Sequence, residues 1–281
     1  MVSSIYWNGE FIPYDEVRVP LEDRGYLFAD GVYEVIRVYG GKPFALRRHL
    51  ERLKRSATAL EIPLSPSSEE LSTAAEKLIA LENRKGDATL YIQLTRGAAP
   101  RSHIFPDQVR PNLWMMLRPF LKEIDYQNGV KAITVPDERW SRCYVKSISL
   151  LPNVLARQKA RRAGVFESIM VRDGFVTEGS SCNFFMILEG TLKTPPLTNY
   201  ILAGITREIV LELCRRKRIR YIEAHIGLDE IYHAQEIFLT SATIEIVPVV
   251  AVDGINIGAG KPGKGTKELL DAYHESVRTL S

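Results

Sequence analysis

Four turn dipeptides limit what this chain can become: Asn8-Gly9, Gly40-Gly41, Asp173-Gly174 and Asp253-Gly254. Such pairs reach the backbone angles that tight reversals need. Residues 5–12 alternate around the first and read as an opening hairpin. In V-Y-E-V-I-R-V-Y (32–39), Val32, Glu34, Ile36 and Val38 share one strand face, and Tyr33, Val35, Arg37 and Tyr39 the other. The chain turns at Gly40-Gly41 and returns over 43–46. Residues 167–172 and 175–177 pair across Asp173-Gly174. Further strands are expected at 88–96, 112–118, 130–136, 183–188, 220–225, 236–241 and 247–252, with a short extended piece at 144–147.

Helical patterns fall between these hairpins. The run 47–60 puts His49, Arg52 and Leu53 on one face. Ser67 and Glu70 have the capping-box spacing and open a helix to about residue 82. Residues 150–163 form a helix that Gly164 stops. Helices follow at 206–217, 228–234 (short) and 266–280 (amphipathic). Strands and helices mix without strict alternation, so the expected class is α+β and not a doubly wound sheet. The polar stretch 119–129, ending in Asn128-Gly129, is the expected linker. It separates an N-terminal α/β domain (1–118) from a C-terminal domain (130–281).

Composition narrows the function classes. With 281 residues there is room for one large domain or two medium ones. A formal net charge of +3 is too small to argue for nucleic-acid or membrane binding. Apolar runs are far shorter than a membrane span, and the N-terminus lacks the basic-then-apolar pattern of a signal peptide. The cysteines, Cys143, Cys182 and Cys214, lie far apart without metal-ligand spacing. Cys143 is expected to be a small buried side chain and not a reactive thiol. A reducing cytoplasm fits.

The chemistry concentrates between residues 142 and 184. Tyr144, Lys146 and Ile148 would share one face of an extended piece, with Val145 and Ser147 on the other. A lysine among apolar neighbours either snorkels to water or takes a lowered pKa, and the second is what a nucleophilic amine needs. Glu178 follows a hairpin and precedes Gly179-Ser180-Ser181. A buried carboxylate there needs a cationic partner. Spacing alone favours the plainer alternative, a solvated lysine and a surface glutamate.

Six segments shift that balance. They are E-D-R-G-Y-L-F-A-D-G-V-Y-E-V (22–35), T-R-G-A-A-P-R-S-H-I-F-P (95–106), R-C-Y-V-K-S-I-S-L-L-P-N (142–153), V-T-E-G-S-S-C-N-F-F (176–185), L-A-G-I-T-R (202–207) and L-T-S-A-T-I-E-I-V-P-V (239–249). In this order they resemble the fold-type IV pyridoxal-phosphate aminotransferases, and within them the D-amino-acid aminotransferase group. The resemblance covers nearly the whole chain and implies a two-domain architecture with a C-terminal cofactor-binding domain. It implies homodimers with the active site near the domain junction and subunit interface.

The resemblance also assigns roles. Lys146 would hold the aldehyde of pyridoxal 5'-phosphate and then carry the proton between substrate Cα and the cofactor. Glu178 would face the pyridine nitrogen. Ile205 and Thr206, at a helix start, would bind phosphate, with Arg52 supplying a guanidinium. A helix cap for Thr206 and a solvated face for Arg52 are the plainer roles. Ala242 stands where relatives usually have a phosphate-binding threonine; its amide can still donate, and Ser241 or Thr243 could compensate. Arg101, His103 and Tyr33 would clamp the substrate carboxylate, which implies D enantiomers and 2-oxo acids as substrates. The alternatives are a branched-chain L-amino-acid aminotransferase, an aminodeoxychorismate lyase, or an idle relative that only binds the cofactor. Nothing in composition suggests a non-enzymatic scaffold.

Overall fold

Asn8 and Gly9, both at positive φ, close the first hairpin, in which β1 (Ser4–Trp7) pairs with β2 (Glu10–Pro13). The computed structural model describes residues 4–83, 86–121 and 124–280. It is an α+β structure in two units. The first is built from the chain up to Leu121 together with Val145–Ser149, and the second from the remainder up to Thr279.

In the first unit, α1 (Arg24–Phe28), capped by the Asp23 side chain, leads into β3 (Gly31–Tyr39) and the two-residue β4 (Lys42–Pro43). Two helices follow, α2 (Leu46–Ala59) and α3 (Ser68–Glu82), then β5 (Ala88–Thr95) and β6 (Asn112–Pro119). The capping box forms: Ser67 Oγ accepts from the Glu70 amide at 3.1 Å, and Glu70 Oε2 accepts from the Ser67 amide at 2.8 Å. The strands make an antiparallel sheet in the order β2-β1-β6-β5-β3-β4. Val32 and Ile36 of β3 and Leu90, Ile92 and Leu94 of β5 are fully buried with Leu50, Leu53, Leu71 and Leu78 of the helices. Each such side chain contributes about 1.5–3 kcal/mol on leaving water. Glu34 lies on the same inward face of β3 as Val32 and Ile36.

The piece at 144–147 is not a strand. The Ser147 amide turns back onto the Val145 carbonyl at 2.8 Å, which breaks extended geometry. The expected alternation survives as burial, with Val145 and Ser147 inside and Tyr144 exposed. This segment was expected in the C-terminal domain, yet it belongs to the first unit because β3 holds it. The Tyr33 amide donates to the Lys146 carbonyl at 3.0 Å, the Ile148 amide donates to the Gly31 carbonyl at 3.1 Å, and Ser147 bridges Val32.

The second unit holds a mixed sheet. Its elements are β7 (Val130–Pro136), α4 (Leu151–Arg162), β8 (Glu167–Arg172), β9 (Phe175–Gly179), β10 (Asn183–Leu188), β11 (Thr191–Thr194), α5 (Ile205–Lys217), β12 (Tyr221–Glu223), β13 (Glu236–Ser241), β14 (Glu245–Val252), β15 (Ile255–Asn256) and α6 (Lys264–Leu280). Strand order is β12-β11-β10-β13-β14-β7-β8-β9, with β15 on β14. β7 lies parallel to both β14 and β8. β14 is buried along its whole length, as expected of a strand covered on both faces. Residues 229–233, expected in a short α-helix, form a 3-10 helix. Among the described residues no helix is long and apolar enough to cross a membrane.

Candidate active site

Lys146 enters the first unit's site through its backbone. Its amide donates to Ser56 Oγ on α2 at 3.2 Å, and its carbonyl is taken by β3. With both backbone groups held, the side chain places Nζ 4.2 Å from the centre of the Tyr33 ring. That ring stacks on Tyr91, which in turn packs against Trp114. The three aromatics come from adjacent strands and line the sheet face opposite the helices.

Arg52 is not on a solvated face; it is 5% exposed. Its Nε donates to Glu34 Oε1 at 2.7 Å and its Nη2 to Glu34 Oε2 at 2.8 Å. His49 Nδ1 also meets Glu34 Oε2, at 2.7 Å. Burial alone would raise the Glu34 pKa, but Arg52 and His49 outweigh it and hold the carboxyl well below its ordinary range. Burial pushes His49 down, with Glu34 opposing and Arg52 and Lys146 assisting. The forked pair therefore fixes the Arg52 guanidinium in place.

Arg101 and His103 stand together on the exposed loop between β5 and β6. The Arg101 guanidinium lies 5.2 Å from the centre of the Phe28 ring, and His103 meets the same ring edge-to-face at 5.6 Å. Neither makes a hydrogen bond or ring contact with Tyr33 or Lys146 among the described residues.

In the second unit Glu178 is 5% exposed, and its cationic partner is Arg139. Arg139 Nη1 donates to Glu178 Oε1, while Oε2 accepts from Asn183 Nδ2 at 2.9 Å and from the Leu202 amide at 3.2 Å. A carboxylate has about four acceptor positions. Three are used, which leaves Oε1 room for one more donor. Burial raises the Glu178 pKa, and Arg139 and the other donors offset that only in part. Arg139 is itself shared. Its Nε and Nη2 fork onto Asp137 at 2.9 and 2.8 Å, and Nη2 also reaches the Tyr200 carbonyl. Against the upward push of burial, Arg139 and Thr177 lower the Asp137 pKa to about 2. Burial pushes the nearby Cys143 thiol up to about 11, which leaves it unreactive.

The α5 N-terminus differs from expectation in one respect. Gly204 is the N-cap, so Thr206 is the second helical residue and does not cap. Among the described residues no side chain caps this end, which leaves the Ile205 and Thr206 amides pointing out with the positive end of the helix dipole. A Cβ at Gly204 would overlap the Asn183 carboxamide oxygen, so the glycine lets this helix start against the residue that holds Glu178. Ala242 follows β13, half-buried, between Ser241 and Thr243, whose hydroxyls are 3.3 Å apart.

Within the first unit, then, Lys146 meets Tyr33 directly, Arg52 is tied to the same strand through Glu34, and Arg101 and His103 each lie against Phe28. Within the second, Asn183 joins Glu178 to the start of the helix bearing Ile205 and Thr206. Sequence reasoning did not find Glu34, His49, Asp137, Arg139 or Asn183. A carboxylate in the apolar set Val32, Glu34, Ile36 was a visible signal for the first two, because it demands a buried cation.

The Amino-transferase class IV profile matches residues 31–252. The chain belongs to this family. It is 44% identical to a D-alanine aminotransferase of Bacillus licheniformis over 97% of this chain and 96% of that one. Its fold is similar to the branched-chain amino acid aminotransferase of Escherichia coli, with TM-score 0.92 and 27% identity over 98% of this chain and 94% of that one. It is also similar to a branched-chain amino acid aminotransferase from Thermobaculum terrenum in its PLP form, with TM-score 0.89 and 25% identity over 100% of this chain and 95% of that one. For a class IV aminotransferase the donor set here fits pyridoxal phosphate. The first unit offers the Lys146 amine; the second, taken by itself, offers the Glu178 carboxylate with an acceptor position left for a ring N–H and an uncapped α5 start suited to a phosphate dianion.

Proposed function

We propose that this aminotransferase moves the amino group of a D-amino acid such as D-alanine to a 2-oxo acid such as 2-oxoglutarate, in two half-reactions that share pyridoxal 5'-phosphate. Bound to the chain, that cofactor supplies an aldehyde carbon for amines and a ring that draws electrons from the carbon beside the amine. Lys146 would hold the aldehyde. As a free amine, its Nζ would take the proton from substrate Cα and keep it for return. Glu178, tied to Arg139, would accept a hydrogen bond from the ring nitrogen at the remaining Oε1 position. The Ile205 and Thr206 amides, the Thr206 hydroxyl and the Ala242 amide would hold the phosphate, with the Arg52 guanidinium that Glu34 fixes.

Arg101, His103 and Tyr33 bind the substrate carboxylate. The placement of Arg101 and His103 on one loop, each against the Phe28 ring, is the observation that carries the D-amino-acid reading, because both residue types can donate to a carboxylate. The 44% likeness to a D-alanine aminotransferase supports it. Likeness in fold to branched-chain enzymes at 27% identity reflects a related family and does not favour their substrates. The enzyme works as a homodimer in the cytoplasm on this reading. Exposed Ile104 beside the clamp and exposed Leu151, Val154 and Leu155 on α4 support a second copy covering these faces. The buried free thiols fit a reducing compartment.

Steady-state kinetics of Arg101→Ala test the clamp. A charged carboxylate held by an arginine is worth roughly 2 kcal/mol, so KM for D-alanine should rise at least about tenfold while cofactor absorbance stays as in the wild type. An unchanged KM would remove Arg101 from substrate binding.

A further inference from the structure

We propose that Arg24, Asp30 and Arg96 form the anchor that fixes the Arg101–His103 loop, with Arg24 as a positioning residue for substrate carboxylate binding. This rests on the clamp reading above. The loop from Arg96 to Pro111 joins β5 to β6 without regular secondary structure. A loop of that length stays mobile unless it is tied down, whereas a charged clamp works by being placed before its ligand arrives.

The ties come from two buried cations. Arg24 and Arg96 are each 3% exposed. Both direct Nε to the same oxygen of Asp30, at 2.8 and 2.7 Å, and Arg96 Nη2 reaches the other oxygen at 3.1 Å. One carboxylate cannot satisfy two guanidinium groups, so the remaining donors turn to backbone. Arg96 donates to the Glu61 and Leu60 carbonyls at 2.7 and 2.6 Å, which fixes it against the rest of the unit. Arg24 Nη1 donates to the Ser102 carbonyl at 2.6 Å and approaches the Ile104 carbonyl at 3.4 Å. Those two carbonyls bracket His103. A hydrogen bond from a buried cation is stronger than one between neutral groups, so these are firm points of attachment. The Phe105 ring completes the anchor, with its centre 3.6 Å from the Arg96 guanidinium carbon although the residue is 47% exposed. Arg24 also lies over Phe28, the ring on which Arg101 and His103 rest.

The test compares Arg24→Met, Arg24→Lys and Phe105→Leu with the wild type, each as holoenzyme. The expected result for Arg24→Met and Phe105→Leu is a KM for D-alanine raised several-fold with kcat within about twofold, an unchanged cofactor dissociation constant, and faster amide exchange at residues 101–105. Arg24→Lys should recover part of the KM, since it keeps the charge but loses the fork. A merely structural role would instead lower kcat, KM-independent stability and cofactor affinity together. If Arg24→Met fails to fold, Phe105→Leu decides, because Phe105 is about half-exposed and leucine keeps an apolar side chain there. Unchanged loop exchange in the folded variants overturns the anchor. Faster exchange with an unchanged KM, where Arg101→Ala does raise KM, overturns its role in substrate binding. An unchanged KM in Arg101→Ala itself sinks the clamp reading, while the exchange result still judges the anchor.

Discussion

Glu178 is removed from water almost completely, and a carboxylate in that position keeps its charge only beside a cation. Arg139 is that cation, and Asp137 holds it by a fork. Two consequences can be measured on single residues. Glu178→Gln keeps the shape and the Asn183 contact region but loses the anion, so the proton-transfer half-reaction should slow by roughly one to two decades, the worth of one charge-assisted hydrogen bond of ~1.5–3 kcal/mol. An unaltered single-turnover rate would remove Glu178 from the reaction. Asp137 titrates near pH 2 when folded and near 3.9 when unfolded. Its contribution to stability is therefore complete above about pH 4 and is lost as pH falls towards 2. In urea melts, Asp137→Asn should be less stable at neutral pH, and the gap to wild type should narrow between pH 4 and 2. A constant gap would contradict the pairing. At this scale the sequence marked Lys146 and Glu178 only through the family motifs that contain them, because local spacing favoured a solvated lysine and a surface glutamate. It did not mark Arg139, because Asp137 and Arg139 sit in an irregular segment whose spatial neighbours, Thr177 and Tyr200, lie tens of residues away.

Elements were most legible where a local rule decides them. The Asp173-Gly174 reversal, with both residues at positive φ, and the Ser67–Glu70 capping box follow from neighbours in sequence. The four-residue β11 was missed, since Thr191–Thr194 has no alternation long enough to read and owes its conformation to β10 and β12. Thr206 was offered a capping role because threonine favours that position, yet Gly204 caps, because Asn183 fills the space where any other side chain would begin. That close approach makes Gly204→Ala informative. Overpacking there costs about 1–3 kcal/mol and displaces both the α5 start and Asn183. Cofactor affinity should fall by at least about tenfold in a fluorescence titration, with a lower Tm. Wild-type affinity in this variant would show that the α5 N-terminus does not hold the phosphate.

On the scale of the whole molecule, six motifs in order were enough to indicate the family, and the first unit's reach forward to Val145–Ser149 was not visible, because the hydrogen bonds that cause it join residues over a hundred positions apart. The exposed apolar positions on α4 bear on assembly. Sedimentation equilibrium should give twice the chain mass, and Leu151→Asp together with Val154→Asp should shift the protein towards the monomer. A wild-type monomer at micromolar concentration would remove the homodimer. Whether this class IV aminotransferase works on D-amino acids is decided by incubating the cofactor-loaded protein with 2-oxoglutarate and either D-alanine or L-alanine, then resolving the glutamate on a chiral column. D-glutamate is expected from D-alanine, with little product from L-alanine; L-glutamate, or a preference for L-leucine or L-valine as donor, would rule out a D-amino-acid enzyme.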